Sequence, residues 1–479
     1  MSATEIRLAL DAIPMGGMAE GAAGDETALF VRDAAGVRAF QAKCPHLGAP
    51  LAKGEICGGR LYCPWHKAAF ALADGSLEEP PALDALTRYP VRIEGADAVA
   101  TLTPEPAETV QIEKTEKTAG APVAQVLVVG SGAAAVACVK TLRREGYDGR
   151  ITLVGREAHP PYDRTKLSKQ FLAKPTPPDK VRIEPDFDRT NRVERVTAAV
   201  SRVDPAQRSV TLADGRTLTA DAILVATGSR AVVPDFPGQD LDGVFTLRSL
   251  DDAIAVSAAA GAAQSVVVVG AGFIGLEAAA FLRKRGLAVT VLAREDIPFA
   301  KRFGERVGAA LKRYHAGNGV GFETGSVAAI TGTGRVEAVE TEDGRRLPAD
   351  IVLIGAGAKP ETGLVAGVTP EADGGLTVGG DLALAQGVWI AGDIAAFPEV
   401  ASGETARIEH WRLAQQHGTH VARAILGRGG AFAGVPFSGA TRATSGSITA
   451  ATPRGSTGSS CRATPTPSTS SPITPRATG

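Results

Sequence analysis

Long apolar runs are missing from this chain, and so is any surplus of charge. No stretch approaches the ~20 residues that cross a bilayer. The 479 residues carry a formal net charge of −1, so no nucleic-acid or membrane-surface partner is expected. Cysteine is scarce as well: there are five, and Cys57, Cys138 and Cys461 stand singly. That scatter argues against a disulfide framework and fits free thiols in a reducing compartment. The opening MSATEIRLALDAIP lacks a basic-then-apolar leader pattern, which together with the thiols points to the cytoplasm. Length excludes a single core, which rarely grows beyond about 250–300 residues, so three or four domains are expected.

The two remaining cysteines are the most informative residues. Cys44-Pro-His46 and Cys63-Pro-Trp-His66 each supply one thiol and one imidazole, with sixteen residues between His46 and Cys63. Two thiolates on one iron and two imidazoles on the other form the ligand set of a Rieske [2Fe–2S] cluster. The same four side chains also suit tetrahedral zinc. A zinc site usually groups its cysteines in one pair and its histidines in another, whereas here each loop holds one of each. Gly48, Gly58 and Gly59 suit turns that clasp a cluster.

Composition then divides the chain. Residues 1–102 read as short alternating strands (27–32, 37–42, 91–93) between Gly and Pro turns, an all-β domain. Residues 103–122 are polar, charged and proline-containing, as a solvated linker is. From 123 to about 426, strands and alanine-rich helical stretches alternate, the pattern of βαβ units on parallel sheets.

Two glycine fingerprints lie in that α/β body. The first follows the β-branched run 126–129 and comprises Gly130, Gly132 and Ala135. A strand, a tight glycine turn and a helix N-terminus let backbone N–H groups approach a pyrophosphate. A second strand at 151–154 and the acid Glu157, placed for a ribose, complete that unit. The second copy, Gly270, Gly272 and Gly275, follows the run 265–269 and precedes a strand at 289–292.

Two nested dinucleotide sites, with Ala226-Thr227-Gly228 and Ala391-Gly392-Asp393, resemble the two-dinucleotide flavoprotein superfamily that includes the disulfide reductases. The resemblance implies that the first fingerprint binds FAD, the second binds NAD(P)H, and Gly392-Asp393 closes over the flavin phosphates and ribityl chain. Pro161-Tyr-Asp-Arg164 and Leu167-Ser-Lys169 resemble the flavin-binding stretch of ferredoxin-reductase-type members. A lone Cys138 in the flavin region excludes dithiol chemistry. With its N-terminal module the chain resembles the Rieske-containing, apoptosis-inducing-factor-like branch. Further echoes are 302–308, Gly355-Ala-Gly357 and Glu409-His410-Trp411, the last expected near the isoalloxazine edge. The resemblance implies 123–242 and 362–437 as the two parts of a FAD domain, the latter including the start of a truncated third domain. It implies 243–361 as the NAD(P) domain.

The expected activity follows from the cofactors. A nicotinamide gives two electrons as hydride, a [2Fe–2S] cluster takes one at a time, and a flavin converts between them. The resemblance pairs Lys169 with Glu277 beside the flavin N5 as the residues acting in that transfer. Acceptors of a ferredoxin-like kind are expected. Alternatives are the reductase component of a ring-hydroxylating oxygenase system and a non-catalytic redox sensor. Ala49, Trp65, Ala68 and Phe70 stand where high-potential Rieske proteins place cysteines and hydroxyl donors, so a low potential is expected. Lys67 replaces the glycine usual after the second histidine. Ala293-Arg294 stands where NADH enzymes of the family carry a glutamate, with an acid only at Glu295. A 2′-phosphate is therefore tolerable, although family habit favours NADH.

Residues 438–479 lack Val, Leu, Phe, Tyr, Trp, Asp, Glu and Lys, too little to build a core, so a disordered tail is expected. Family members continue there into a third domain through an aromatic Phe-Trp stretch. Restoring one base among the codons for Pro436-Phe437-Ser438-Gly439 can yield Pro-Phe-Phe-Trp, so a one-base deletion near Phe437 is expected. The coding DNA decides it.

Overall fold

A computed structural model describes residues 4–105, 123–400, 402–435, 437–441 and 447–451. The chain divides into two compact units, each described by itself.

The N-terminal unit is all β. One four-stranded antiparallel sheet runs Gly17–Ala23, Glu26–Asp33, Gly36–Gln41 and Arg88–Tyr89. A three-stranded sheet of Glu5–Ala9, Asp97–Thr101 and Val91–Glu94 packs with it around Ile6, Phe30, Ala39 and Ala98. Burial of alternate residues, the period of a pleated strand, sorts these cores. A second four-stranded sheet (Glu55–Cys57, Arg60–Tyr62, Ala69–Ala71, Leu77–Glu79) carries its own core of Leu51, Leu61, Phe70 and Leu77. Cys44 and Cys63 belong to that second core. Of the expected linker, 106–122 lies outside the described residues.

The second unit nests one parallel α/β sheet inside another. The outer sheet orders Val193–Thr197, Arg150–Gly155, Gln125–Val129, Ala222–Val225 and Val388–Ile390 in parallel, then Ala383–Ala385 antiparallel. Between Ala222–Val225 and Val388–Ile390 the chain builds the inner sheet: Val244–Phe245, Ile351–Ile354, Ser265–Val269, Ala288–Ala293 and Val320–Thr324, all parallel. Such strands are buried on both faces, which explains their unbroken Val/Leu/Ile runs. Helix Ala133–Arg144 meets helix Trp411–Ile425 at near backbone contact: a Cβ on Gly418 would stand 2.0 Å from the Ala134 carbonyl. Small residues on both sides permit that approach.

Two expectations need correction. Within the stretch read as disordered, Phe437–Thr441 and Ser447–Ala451 pair as an antiparallel hairpin; both segments are free of proline and compatible with a strand. The rest of that stretch, and Cys461, lie outside the described residues. Cys57 is disulfide-bonded rather than free. It sits half-buried at a hairpin turn, where a partner can reach it, whereas Cys138 is sealed in helix Ala133–Arg144 and free.

Candidate cofactor sites

The two cluster loops are built alike. In each, the cysteine N–H donates to the carbonyl five residues on (Cys44 to Ala49, Cys63 to Ala68, both 2.8 Å). The residue four positions on donates back to the cysteine carbonyl: Gly48 at 2.9 Å and Lys67 at 3.2 Å. That closure puts the fourth position in the left-handed region, φ +74° at Gly48 and +60° at Lys67. The glycine preference at the Lys67 position is thus conformational, and Lys67 accepts a strain of about 1 kcal/mol to hold the same turn.

The loops aim their side chains in pairs. The imidazoles of His46 and His66 meet edge to face with centroids 4.9 Å apart. The thiols of Cys44 and Cys63 hydrogen-bond each other, which raises the pKa of Cys44 and lowers that of Cys63. Backbone N–H groups of His46 and Leu47 also point at Cys44, and those of Trp65 and His66 at Cys63. No three His, Cys, Asp or Glu side chains among the described residues converge on one point, as a single ion would require. Thiol with thiol and imidazole with imidazole is what a two-iron cluster needs, so the donor set fits it better than zinc. Ala49, Ala68 and Phe70 are fully buried around the thiols, and Trp65 and Leu47 are about half exposed at the tip.

In the outer sheet the first glycine turn follows Gln125–Val129. Gly130 has φ +113°, and a Cβ there would stand 2.2 Å from the Ala226 carbonyl. Gly132, the cap of the helix, faces open space, the opening a pyrophosphate would fill. Ala135 is buried. Gly392 (φ +77°) and Asp393 lie on a short turn across from that helix. Asp393 accepts from Arg248 at 2.7 Å and from Ser229 at 3.2 Å. Gly228 (φ +67°) lies close by, and the Thr227 hydroxyl donates to the Glu361 carbonyl at 2.8 Å. Glu157 is engaged on both oxygens, by Tyr162 and Arg164. Arg164 also donates to the Arg248 carbonyl at 2.9 Å. Burial opposes its charge, but Tyr162, Glu157 and Asp393 together hold its pKa above the ordinary value.

In the inner sheet Gly270 has φ +110°, and its Cβ would stand 2.4 Å from the Gly355 carbonyl. Gly272 again faces open space, and a Cβ on Gly275 would meet the Gly270 carbonyl at 2.3 Å. Gly357 (φ +122°) lies past strand Ile351–Ile354. Arg294 emerges exposed just after Ala288–Ala293.

Lys169 and Glu277 meet at 3.0 Å, the lysine from the outer part of the unit and the glutamate from helix Phe273–Lys284. Ser168 donates to Glu277 at 2.7 Å, and Lys169 donates to the Thr165 carbonyl at 2.7 Å. His410 caps helix Trp411–Ile425, whose first residue is the half-buried Trp411; burial, with Arg412, lowers the His410 pKa.

Sequence reasoning missed Arg248 and His417. Arg248 reaches Asp393 across 145 positions, and no local pattern marks it. His417 is fully buried, accepts from the Gly392 N–H at 3.2 Å, and packs edge to face on Phe397 and Phe432. Burial lowers it to about 3. Its spacing between Leu413 and Val421, one face of a helix, was the available signal.

The family comparisons agree with this arrangement. Residues 124–418 match the pyridine nucleotide-disulphide oxidoreductase family, and 8–90 match the Rieske [2Fe-2S] domain. The chain belongs to that oxidoreductase family and carries a Rieske domain ahead of it: it is a flavoprotein oxidoreductase of the ferredoxin–NAD(P) reductase type. It is 35% identical to mouse apoptosis-inducing factor 3, over 85% of this chain and 69% of that protein. A chlorobenzene dioxygenase ferredoxin reductase component from a Cupriavidus species is 39% identical over 65% of this chain and 77% of its own. Among solved structures, a ferredoxin reductase from Rhodopseudomonas palustris superposes with a TM-score of 0.64 at 30% identity, covering 67% of this chain and 80% of its own.

Proposed function

We propose that this protein passes electrons from NAD(P)H through FAD to its Rieske cluster and on to a ferredoxin-like acceptor. What carries the reading is the coexistence of paired cluster donors and two nested dinucleotide cradles in one chain. When bound, FAD would supply the exchange between two-electron and one-electron chemistry, and the cluster would supply one-electron carriage. The protein's part is placement. Gly130, Gly132, Gly392 and Asp393 would hold FAD, with Thr227, Gly228, Glu157 and Arg164 shaping its pocket. Gly270, Gly272, Gly275 and Gly357 would admit the nicotinamide cofactor. Lys169 and Glu277 form a cation–anion pair where the two cradles adjoin, suited to orienting the nicotinamide against the flavin. His410 and Trp411 would border the ring. Cys44, Cys63, His46 and His66 would ligate the irons, in surroundings poor in hydroxyl donors that favour a low potential.

A second reading, service to a ring-hydroxylating oxygenase, draws support from the dioxygenase components among the relatives. Those matches span 63–65% of this chain, against 85% for the apoptosis-inducing factor 3 match. We favour a cytoplasmic site of action, where the thiols of Cys44, Cys63 and Cys138 stay free. Separately, no helix among the described residues is long and apolar enough to cross a membrane. Anaerobic titration of the reconstituted full chain with NADPH and NADH, followed by absorbance and EPR, tests the relay. Flavin bleaching followed by a Rieske signal is expected. A bleached flavin with a cluster that stays oxidised refutes the internal path, and turnover with ferricyanide separates an enzyme from a sensor.

A further inference from the structure

We infer that the inner cradle prefers NADPH to NADH, and that Arg294 is the residue that reads the 2′-phosphate. The inference rests on the reading of the chain as an NAD(P)H-dependent reductase. The Gly270 N–H donates to the Leu292 carbonyl at 2.8 Å, which ties the glycine turn to the end of strand Ala288–Ala293. Ala293 and Arg294 therefore leave the sheet beside that turn. A dinucleotide whose pyrophosphate lies over Gly272 lays its adenosine ribose there. The Gly325 N–H donates to the Ala293 carbonyl at 2.9 Å and fixes the base of the segment.

The side chains present an unsatisfied cation and no free acid. A fold that selects NAD offers a carboxylate to the ribose 2′-hydroxyl; Ala293 offers a methyl group. Arg294 is exposed and makes no ion pair or hydrogen bond among the described residues. The next two acids are already engaged: Glu295 with Lys301, and Asp296 with Lys312 at 2.5 Å and Thr324 at 3.2 Å. Neither is free to serve the ribose. A planar guanidinium without a partner matches a phosphate dianion through two parallel hydrogen bonds, a match that the hydroxyl of NADH does not supply. Because Arg294 is exposed, the gain is one screened, charge-assisted contact, about tenfold in affinity.

The test uses the flavin-loaded full chain. Calorimetric binding of 2′,5′-ADP and of 5′-AMP reports the site without turnover, and kcat/KM for NADPH and NADH with ferricyanide reports it with turnover. We expect both ratios to favour the 2′-phosphate by about tenfold, through KM rather than kcat, and to shrink as salt is raised. Arg294→Ala should bring both ratios close to one, and Arg294→Lys should restore part of them. A higher kcat/KM for NADH, or 2′,5′-ADP binding no tighter than 5′-AMP, overturns the assignment. So does a preference that survives Arg294→Ala in protein with normal flavin content. If neither nicotinamide reduces the flavin, the reductase reading falls, while the nucleotide binding ratio still judges Arg294.

Discussion

The two dinucleotide cradles share one backbone and differ in nearly everything attached to it. Gly130 and Gly270 adopt the same positive φ and press against a neighbouring carbonyl at nearly the same distance. Around the first turn, the charged groups are mutually satisfied: Glu157 with Arg164 and Tyr162, Asp393 with Arg248 and Ser229. Around the second, Phe273, Ile274 and Arg294 are exposed. A cradle whose charges are already tied to one another suits a ligand that stays. Open apolar surface with a loose cation suits one that comes and goes. Fold sets where a dinucleotide lies; side chains set how long it remains.

The sharpest attack on that contrast is a methyl group at either turn. Gly130→Ala and Gly270→Ala each force a Cβ into a carbonyl at a backbone angle that L residues avoid, at about 4 kcal/mol locally. Flavin content after gel filtration should collapse in Gly130→Ala only. Gly270→Ala should stay yellow but lose reduction by either nicotinamide. Loss of flavin from both would mean the cradles are not separable.

Next comes the charge lining the first cradle. Arg164→Ala leaves Glu157 without its cation in a buried setting, about 3 kcal/mol of lost stability that should appear as a lower melting temperature and weaker flavin retention. The pair between the cradles should behave differently. Glu277→Gln should keep the flavin and slow its reduction about tenfold, through orientation rather than binding.

Acid should distinguish the cradles too. His417 backs Gly392 in neutral form, with a pKa lowered to about 3 by burial. The unfolded chain takes up that proton near pH 6.5, the folded chain does not, so stability is full above about pH 6.5 and falls as pH drops toward 3. At pH 5 the loss is about 2 kcal/mol, with flavin release as its visible sign. Melting temperature against pH should flatten over this window in His417→Asn. An unchanged slope would remove His417 from the account.

Much of this was readable in the chain because it is local. The cluster donors, both glycine turns and the nested order of strands are contiguous patterns, and Lys67 stood out as a departure before its φ of +60° explained why a glycine is usual. Arg248 was not readable, since its partner Asp393 is brought near only by the return of strand Val388–Ile390 to the first sheet. Glu157 was legible only in part. Its position marks it for a ribose, and its contacts with Arg164 and Tyr162 emerge only in the fold. Arg294 was legible as a residue and became informative only when the neighbouring acids proved to be engaged.

The smallest expected effect tests the third fingerprint position, where the copies carry Ala135 and Gly275. At Gly275 a Cβ would stand 2.3 Å from the Gly270 carbonyl, so the helix there lies too close to its own turn for any side chain. At Ala135 the methyl group is fully buried and accommodated, which means the first helix sits slightly further from its turn. Ala135→Gly should therefore cost only about 1–2 kcal/mol, the helix propensity difference together with a lost buried methyl. Gly275→Ala should cost more and act on nicotinamide binding alone. Equal costs would show that the two helices stand at one distance, and that the residue difference carries no structural meaning.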